Sequence, residues 1–211
     1  MAQTSKSASI KNIYNEISKE FSATRQYIWP DLKPFLSEIK PGSTVLDLGC
    51  GNGRALLGLP KDIKYTGVDI SSNLLLAAKA AHPNHIFIEG DITQEKTWNR
   101  LPKADHIICI AVIHHIASSK EHQFVLKQIK KHLNPEGKVL ITAWNLWQKK
   151  YLKRHLDLKT KLQNLHHVYI TFQGKPRFHY AFTTSYLKRL SRSSNLKLQV
   201  QKSRFNYILH T

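Results

Sequence analysis

The run TVLDLGCGNGR at residues 44–54 limits the folds open to this chain more than any other stretch. Its first five residues read as a buried strand, and the strand enters a loop with glycine at alternate positions, Gly49, Gly51 and Gly53. Glycines there remove the side chains that would hold a ligand away from the backbone, so a nucleotide-type site is expected at this turn. The spacing is GxGxG rather than the GxGxxG of dinucleotide-binding dehydrogenases, which disfavours a nicotinamide cofactor. Strand and helix patterns then alternate, with strands at 64–68, 85–88, 105–113 and 138–143 and helices at 71–81 and 120–133. Such alternation predicts a parallel sheet joined by crossover helices. Acids mark three successive strand ends: Asp47, Asp69 closing YTGVD, and Asp91 closing FIEGD. Asp47 suits an amine, Asp69 can accept from both hydroxyls of a ribose, and Asp91 from the exocyclic amine of adenine. The three acids together are far more specific than the glycines alone.

On the amino-terminal side, Ile10, Ile13, Tyr14, Ile17 and Phe21 recur at steps of three and four, the apolar stripe of one amphipathic helix. Leu32, Phe35, Leu36 and Ile39 suggest a second helix with Pro30 in its first turn and Pro34 as a distortion. Past Trp144 a basic stretch runs through Lys161, followed by an apparent hairpin at 168–172 and 178–182 that turns at Gly174, Lys175 and Pro176. Thr183 or Thr184 can cap a last helix, and strands are expected at 197–200 and 205–209. The expected organisation is one domain over 1–211. It comprises a helical extension (1–40), a cofactor-binding core (41–145), a basic insertion with its hairpin (146–182), and a closing helix and strands (183–211).

Charge is unevenly spread. The chain carries 32 Lys and Arg against 14 Asp and Glu, a formal +18, yet residues 146–211 hold 14 of the basic residues and one acid, Asp157. The last third thus supplies +13, a field suited to a polyanion such as nucleic acid, with salt-dependent binding. The longest apolar run, residues 107–113, is far shorter than the ~20 residues of a membrane span, so no membrane partner is expected. Cys50 and Cys109 supply neither a disulfide framework nor metal-ligand spacing; no metal is expected, and a reducing cytoplasm fits.

The strand, glycine loop and three acids resemble the class I S-adenosylmethionine methyltransferases over residues 44–144. The resemblance implies an α/β, Rossmann-like sheet of seven strands whose last strand is antiparallel. It also implies S-adenosylmethionine as cofactor. Asp47, Gly49, Gly51 and Gly53 would approach its methionine part, Asp69 the ribose, and Asp91 with Ile92 the adenine, with Arg54, Ile70 and Ala111 as further cofactor-binding residues. A narrower resemblance rests on YNEISKEFSATRQYIWP (14–30), IAVIHHIAS (110–118), LITAW (140–144) and RFHYAF (177–182). These segments are similar to the tRNA wobble-uridine methyltransferases that esterify a 5-carboxymethyl group. That likeness implies tRNA as partner, with a small activating subunit where eukaryotic relatives use one. The stretch between Trp144 and Val168 is more compact than in eukaryotic members, and a stand-alone enzyme is the expectation.

A carboxylate that attacks a sulfonium methyl loses no proton, so alignment and charge placement, not a base, should supply the rate. Arg25, His115 and Arg177 are the candidate catalytic groups that would hold it. Tyr14, Trp29, His114 and His179 are candidate substrate contacts. Tyr14 on the apolar stripe reads equally as core or lid, Trp29 as a helix staple or a base stack, and His114 as structural or functional. Lys149, Lys150, Lys153 and Arg154 are candidate phosphate contacts. Two rivals remain: a small-molecule methyltransferase on the same fold, which the basic tail disfavours, and a catalytically silent nucleic-acid-binding relative, which the intact acids disfavour.

Overall fold

The structure is a computed structural model that describes residues 6–151 and 165–211. A seven-stranded sheet has the spatial order β3-β2-β1-β4-β5-β9-β8. In chain order these are β1 (Thr44–Leu48), β2 (Lys64–Asp69), β3 (Ile86–Glu89), β4 (Ala104–Ile110), β5 (Leu133–Trp144), β8 (Gln199–Lys202) and β9 (Asn206–His210). The first five pair in parallel, and β9 runs antiparallel between β5 and β8. The α/β, seven-stranded sheet with an antiparallel last strand is therefore the observed architecture. A separate hairpin, β6 (His167–Phe172) with β7 (Lys175–Tyr180), is inserted after β5.

Period-two alternation puts both faces of the sheet against helices. Leu46, Ile107, Cys109, Val139, Ile141 and Leu209 join one apolar cluster with Val125, Leu126 and Ile129 of α6 (Ser119–His132). Val45, Ile108, Leu140 and Ile208, their immediate neighbours in sequence, join the opposite cluster with Leu75 and Ala78 of α4 (Ser72–Ala81). A strand buried on both faces needs this near-continuous apolar sequence. Helix starts are set locally. Ser71 accepts from Leu74 N–H, Thr183 caps α7 (Thr184–Ser193), and Ser118 with Glu121 forms a reciprocal capping box for α6.

Three local expectations need correction. The amino-terminal stripe is carried by two helices, α1 (Lys6–Glu16) and α2 (Ser18–Ala23), with Ile17 between them at φ −95° and ψ 11°; the stripe itself is buried, at Ile10, Tyr14 and Ile17. The second expected helix shrinks to a 3₁₀ turn at Pro30–Leu32 and one α turn, α3 (Lys33–Leu36), since Pro30 and Pro34 bring no N–H. Between α4 and α6 lies one further turn, α5 (Glu95–Trp98). The apolar run from 105 to 113 is not all strand. β4 stops at Ile110 because Ala111 takes φ +59°, and a 3₁₀ turn follows at Ile113–His115. Gly49 permits that departure, for a Cβ there would lie 2.2 Å from the Val112 side chain.

Candidate active site

Parallel strands deliver their carboxyl ends to one edge, where loops converge on a cavity. Its wall includes Gly49, Gly51, Arg54, Asp69, Ile70, Asp91, Ile92 and Ala111 from the core, and Tyr14, Arg25 and Trp29 from the amino-terminal segment. His114, His115, Trp144 and Arg177 close its far side. Asp47 and Gly53 do not line it. Asp47 lies behind the glycine loop, where its carboxylate accepts from the Tyr65 hydroxyl at 2.7 Å. Burial is the main cause that pushes this carboxyl up to about 7, with Asp69 adding repulsion and the Tyr65 hydrogen bond opposing. Gly53 serves the turn: it has φ +79°, and a Cβ on it would meet His82 at 2.9 Å.

The cofactor half is built of backbone and carboxylates. Asp69 accepts from Gly51 N–H and Ser71 N–H, each at 2.8 Å, which fixes both the loop and the carboxylate. Gly51 has φ +57°, and the nearest atom to a Cβ there is the Phe21 ring at 3.9 Å, so an open slot separates the loop from α2. Asp91 accepts from Thr93 N–H and hydroxyl, while its other oxygen accepts a short hydrogen bond from Ser7 of α1. Helix α1 is thus a wall of the pocket, held also by Asn15 to Ser71 and by a Lys11–Glu89 ion pair. The glycine cradle, the fixed Asp69 and the slot match the needs of an adenosyl ligand with an amino-acid tail. Ser7 and Phe21 are site residues that sequence reasoning missed; Phe21 stood inside FSATR, whereas nothing marked Ser7.

The other half is cationic and aromatic. His115 Nδ1 lies 2.8 Å from the Phe178 carbonyl and must donate to it, so Nε2 is the lone-pair nitrogen and accepts from the Tyr14 hydroxyl at 2.9 Å. Tyr14 oxygen in turn accepts from Arg177 Nη1 at 3.1 Å. Burial, with Arg177 nearby, holds His115 down at about 4, so it is neutral. Both His115 nitrogens are engaged. Its neighbour differs: His114 Nδ1 accepts from Trp144 N–H at 3.3 Å, which leaves the proton on Nε2, and that buried nitrogen has no partner among the described residues. Arg177 Nε is likewise buried and unpartnered. His179 is fully buried behind this wall, stacked on Trp144 and His114, and donates Nδ1–H to the Arg177 carbonyl.

Arg25 lies 4.5 Å from the Phe21 ring, and Arg54 lies 4.5 Å from the Trp29 ring. Burial lowers both guanidinium groups, Arg54 to about 10, and the two repel each other. The ion pairs among the described residues are Lys11–Glu89, Lys138–Glu38 and Lys175–Glu16; Arg25, Arg54 and Arg177 enter none of them. His114, His115 and His179 bring ring nitrogens within 4.8 Å of one another. With both His115 nitrogens hydrogen-bonded and a guanidinium beside them, the trio suits an anion better than a cation. Lys149 and Lys150 are exposed beyond the pocket, and Lys153 and Arg154 lie outside the described residues. Among the described residues no helix is long and apolar enough to cross a membrane.

The family described as a methyltransferase domain matches residues 21–201. Mouse ALKBH8, a tRNA (carboxymethyluridine(34)-5-O)-methyltransferase, is 34% identical over 139 residues, 66% of this chain and 20% of that protein. The Saccharomyces cerevisiae protein of the same activity name is 34% identical over 139 residues, 66% of this chain and 49% of that protein. The chain thus spans half or less of these relatives. Among solved structures, a SAM-dependent methyltransferase of Methanosarcina mazei superposes with a TM-score of 0.69 at 17% identity, covering 87% of this chain and 97% of that one.

Proposed function

Because the chain belongs to the methyltransferase-domain family, we propose that it uses S-adenosylmethionine to methyl-esterify a 5-carboxymethyl group on a tRNA wobble uridine. The observation that carries the acceptor's chemistry is the pair of buried donors, His114 Nε2–H and Arg177 Nε–H, that have no partner among the described residues, in a cavity lined by three arginines that enter no ion pair among those residues. Buried donors left unpaired are uncommon, and a carboxylate oxygen satisfies one such donor each. The curated relatives' names and the basic last third of the chain supply the nucleic-acid part of the reading.

Held by the glycine loop, Asp69 and Asp91, S-adenosylmethionine would supply a sulfonium-bound methyl to a carboxylate oxygen, the C–S electron pair staying with sulfur as the C–O bond is made. No proton is transferred, so the chain's residues act by placement. Asp69 would receive the ribose hydroxyls and Asp91 the adenine amine, Ser7 yielding its hydrogen bond. Asp47, through the glycine loop, would balance the ammonium group. Arg177 and Arg25 would hold the acceptor carboxylate. His115 orients Tyr14, and Tyr14 orients Arg177, which gives His115 a positioning role. Incubating the protein with labelled S-adenosylmethionine and tRNA pools with or without 5-carboxymethyluridine, followed by nucleoside mass spectrometry, tests the reading. Label confined to the carboxymethylated pool supports it; equal label in both pools, or activity on small acids alone, refutes it.

A further inference from the structure

The turn between β8 and β9 is unused by this chemistry, yet it stands beside it. Trp144 faces Asn206 across β5 and β9, and Lys202 faces Tyr207 across β8 and β9. Residues 203–205 therefore leave the sheet at its carboxyl edge, next to the cavity wall at Trp144. Phe205 is 54% exposed there, with the Arg204 guanidinium 5.2 Å from its ring centre, and Lys202 is exposed at the end of β8 with its ammonium 5.9 Å from the Tyr207 ring centre. A hydrogen-bonded frame holds the turn. Ser203 N–H donates to the Asn206 carbonyl at 2.8 Å, and Asn145 N–H donates to the Phe205 carbonyl at 2.9 Å. Asn145 Nδ2 reaches the Ser203 and Arg204 carbonyls, and Asn206 Nδ2 donates to Asp31 at 3.0 Å, two residues from Trp29 at the cavity. The exposed Lys149 and Lys150 follow Gln148, whose amide donates to the Asn145 carbonyl.

An exposed aromatic ring is unremarkable alone. Here the backbone that carries the ring is held by a frame, the neighbouring cations enter no ion pair among the described residues, and the turn adjoins a wall of the pocket read as receiving one nucleotide of a loop. Aromatic rings stack on any base while neighbouring cations take the phosphates, which is how single-stranded nucleic acid is held without sequence readout. Resting on the tRNA reading, we propose that the β8–β9 turn is a docking platform for a single-stranded nucleotide beside the one in the cavity. Phe205 stacks on its base, and Lys202 and Arg204 contact its phosphates.

The test uses the whole chain and an anticodon stem-loop RNA carrying 5-carboxymethyluridine with 2-aminopurine next to it. Wild-type protein should quench the 2-aminopurine on binding. Phe205→Ala should bind the RNA about tenfold or more weakly and lose the quench, Phe205→Tyr should restore both, and S-adenosylmethionine affinity should hold in every variant. RNA affinity of Phe205→Ala within twofold of wild type overturns the platform and leaves the tRNA reading standing. Loss of cofactor affinity in both Phe205→Ala and Phe205→Leu marks the ring as structural and overturns it too. A wild-type protein that binds no stem-loop RNA, or prefers an acidic polypeptide, overturns platform and tRNA reading together.

Discussion

At the scale of single residues, Asp47 behind the glycine loop is expected to set the pH response of cofactor binding. Its folded pKa is raised to about 7 from an ordinary value near ~4, so the folded protein holds a proton that the unfolded chain releases. The resulting stability is fully present below pH ~4 and is lost as pH rises through 7. A bound ammonium group favours the ionised form instead, so affinity for S-adenosylmethionine should rise between pH 6 and 8 with proton release. Calorimetry in buffers of different ionisation enthalpy reads that release, and Asp47→Asn should flatten the profile. Asp69 makes a different prediction. Its replacement by Ala removes a charged acceptor and also frees Gly51 N–H, so cofactor binding should weaken by about 1.5–3 kcal/mol, measured by titration. The three acids were legible because each stands at a strand end in the sequence. The link from Arg177 to Tyr14 was not, since 163 residues separate them and only the topology joins them.

At the scale of elements, α1 and the β6–β7 hairpin complete a site that the sheet alone leaves open. Tyr14 of α1 donates to His115 and accepts from Arg177 of β7, so one hydroxyl couples three segments. Tyr14→Phe should leave two buried groups without that partner and destabilise the protein by about 1–3 kcal/mol in urea unfolding. It should also lower kcat for methyl transfer more than it changes cofactor affinity; unchanged turnover would make the coupling merely structural. Strand β1, and β5 from Val139 onward, could be read from apolar runs, because a strand covered on both faces needs apolar residues there. The end of β4 could not. Residues 111–113 are as apolar as those before them, and the strand stops because Ala111 adopts a left-handed backbone that the bare Gly49 accommodates. Helix α1 was readable as a stripe, but its break at Ile17 was not, since the apolar spacing continues unbroken through it.

At the scale of the whole molecule, charge and buried imidazoles govern the response to salt and acid. His115 and His122 are each held near 4 by burial, whereas unfolded imidazoles titrate near ~6.5. Their contribution is present above pH ~6.5 and lost as pH falls towards 4, because the unfolded chain takes up protons the core refuses. His114, His106, His82 and His167 are lowered by burial in the same sense. Together these imidazoles outweigh the opposing raised carboxyls of Asp47 and Asp69, so urea midpoints should fall from pH 6.5 to pH 4.5. A formal charge of +18 predicts that tRNA affinity declines steeply with salt, log affinity falling by about 0.7–0.9 per log unit of salt for each phosphate contacted. The imbalance was plain in the sequence; that Lys202 and Arg204 stand at the carboxyl edge of the sheet was not, because only the register of β5, β9 and β8 brings them there. The acceptor remains the central claim, and mild alkali tests it most directly. Methyl label transferred to tRNA should be released as methanol by brief treatment at raised pH, as an ester requires. Label that survives on a ring atom or a ribose oxygen would contradict a carboxylate acceptor held by Arg25 and Arg177.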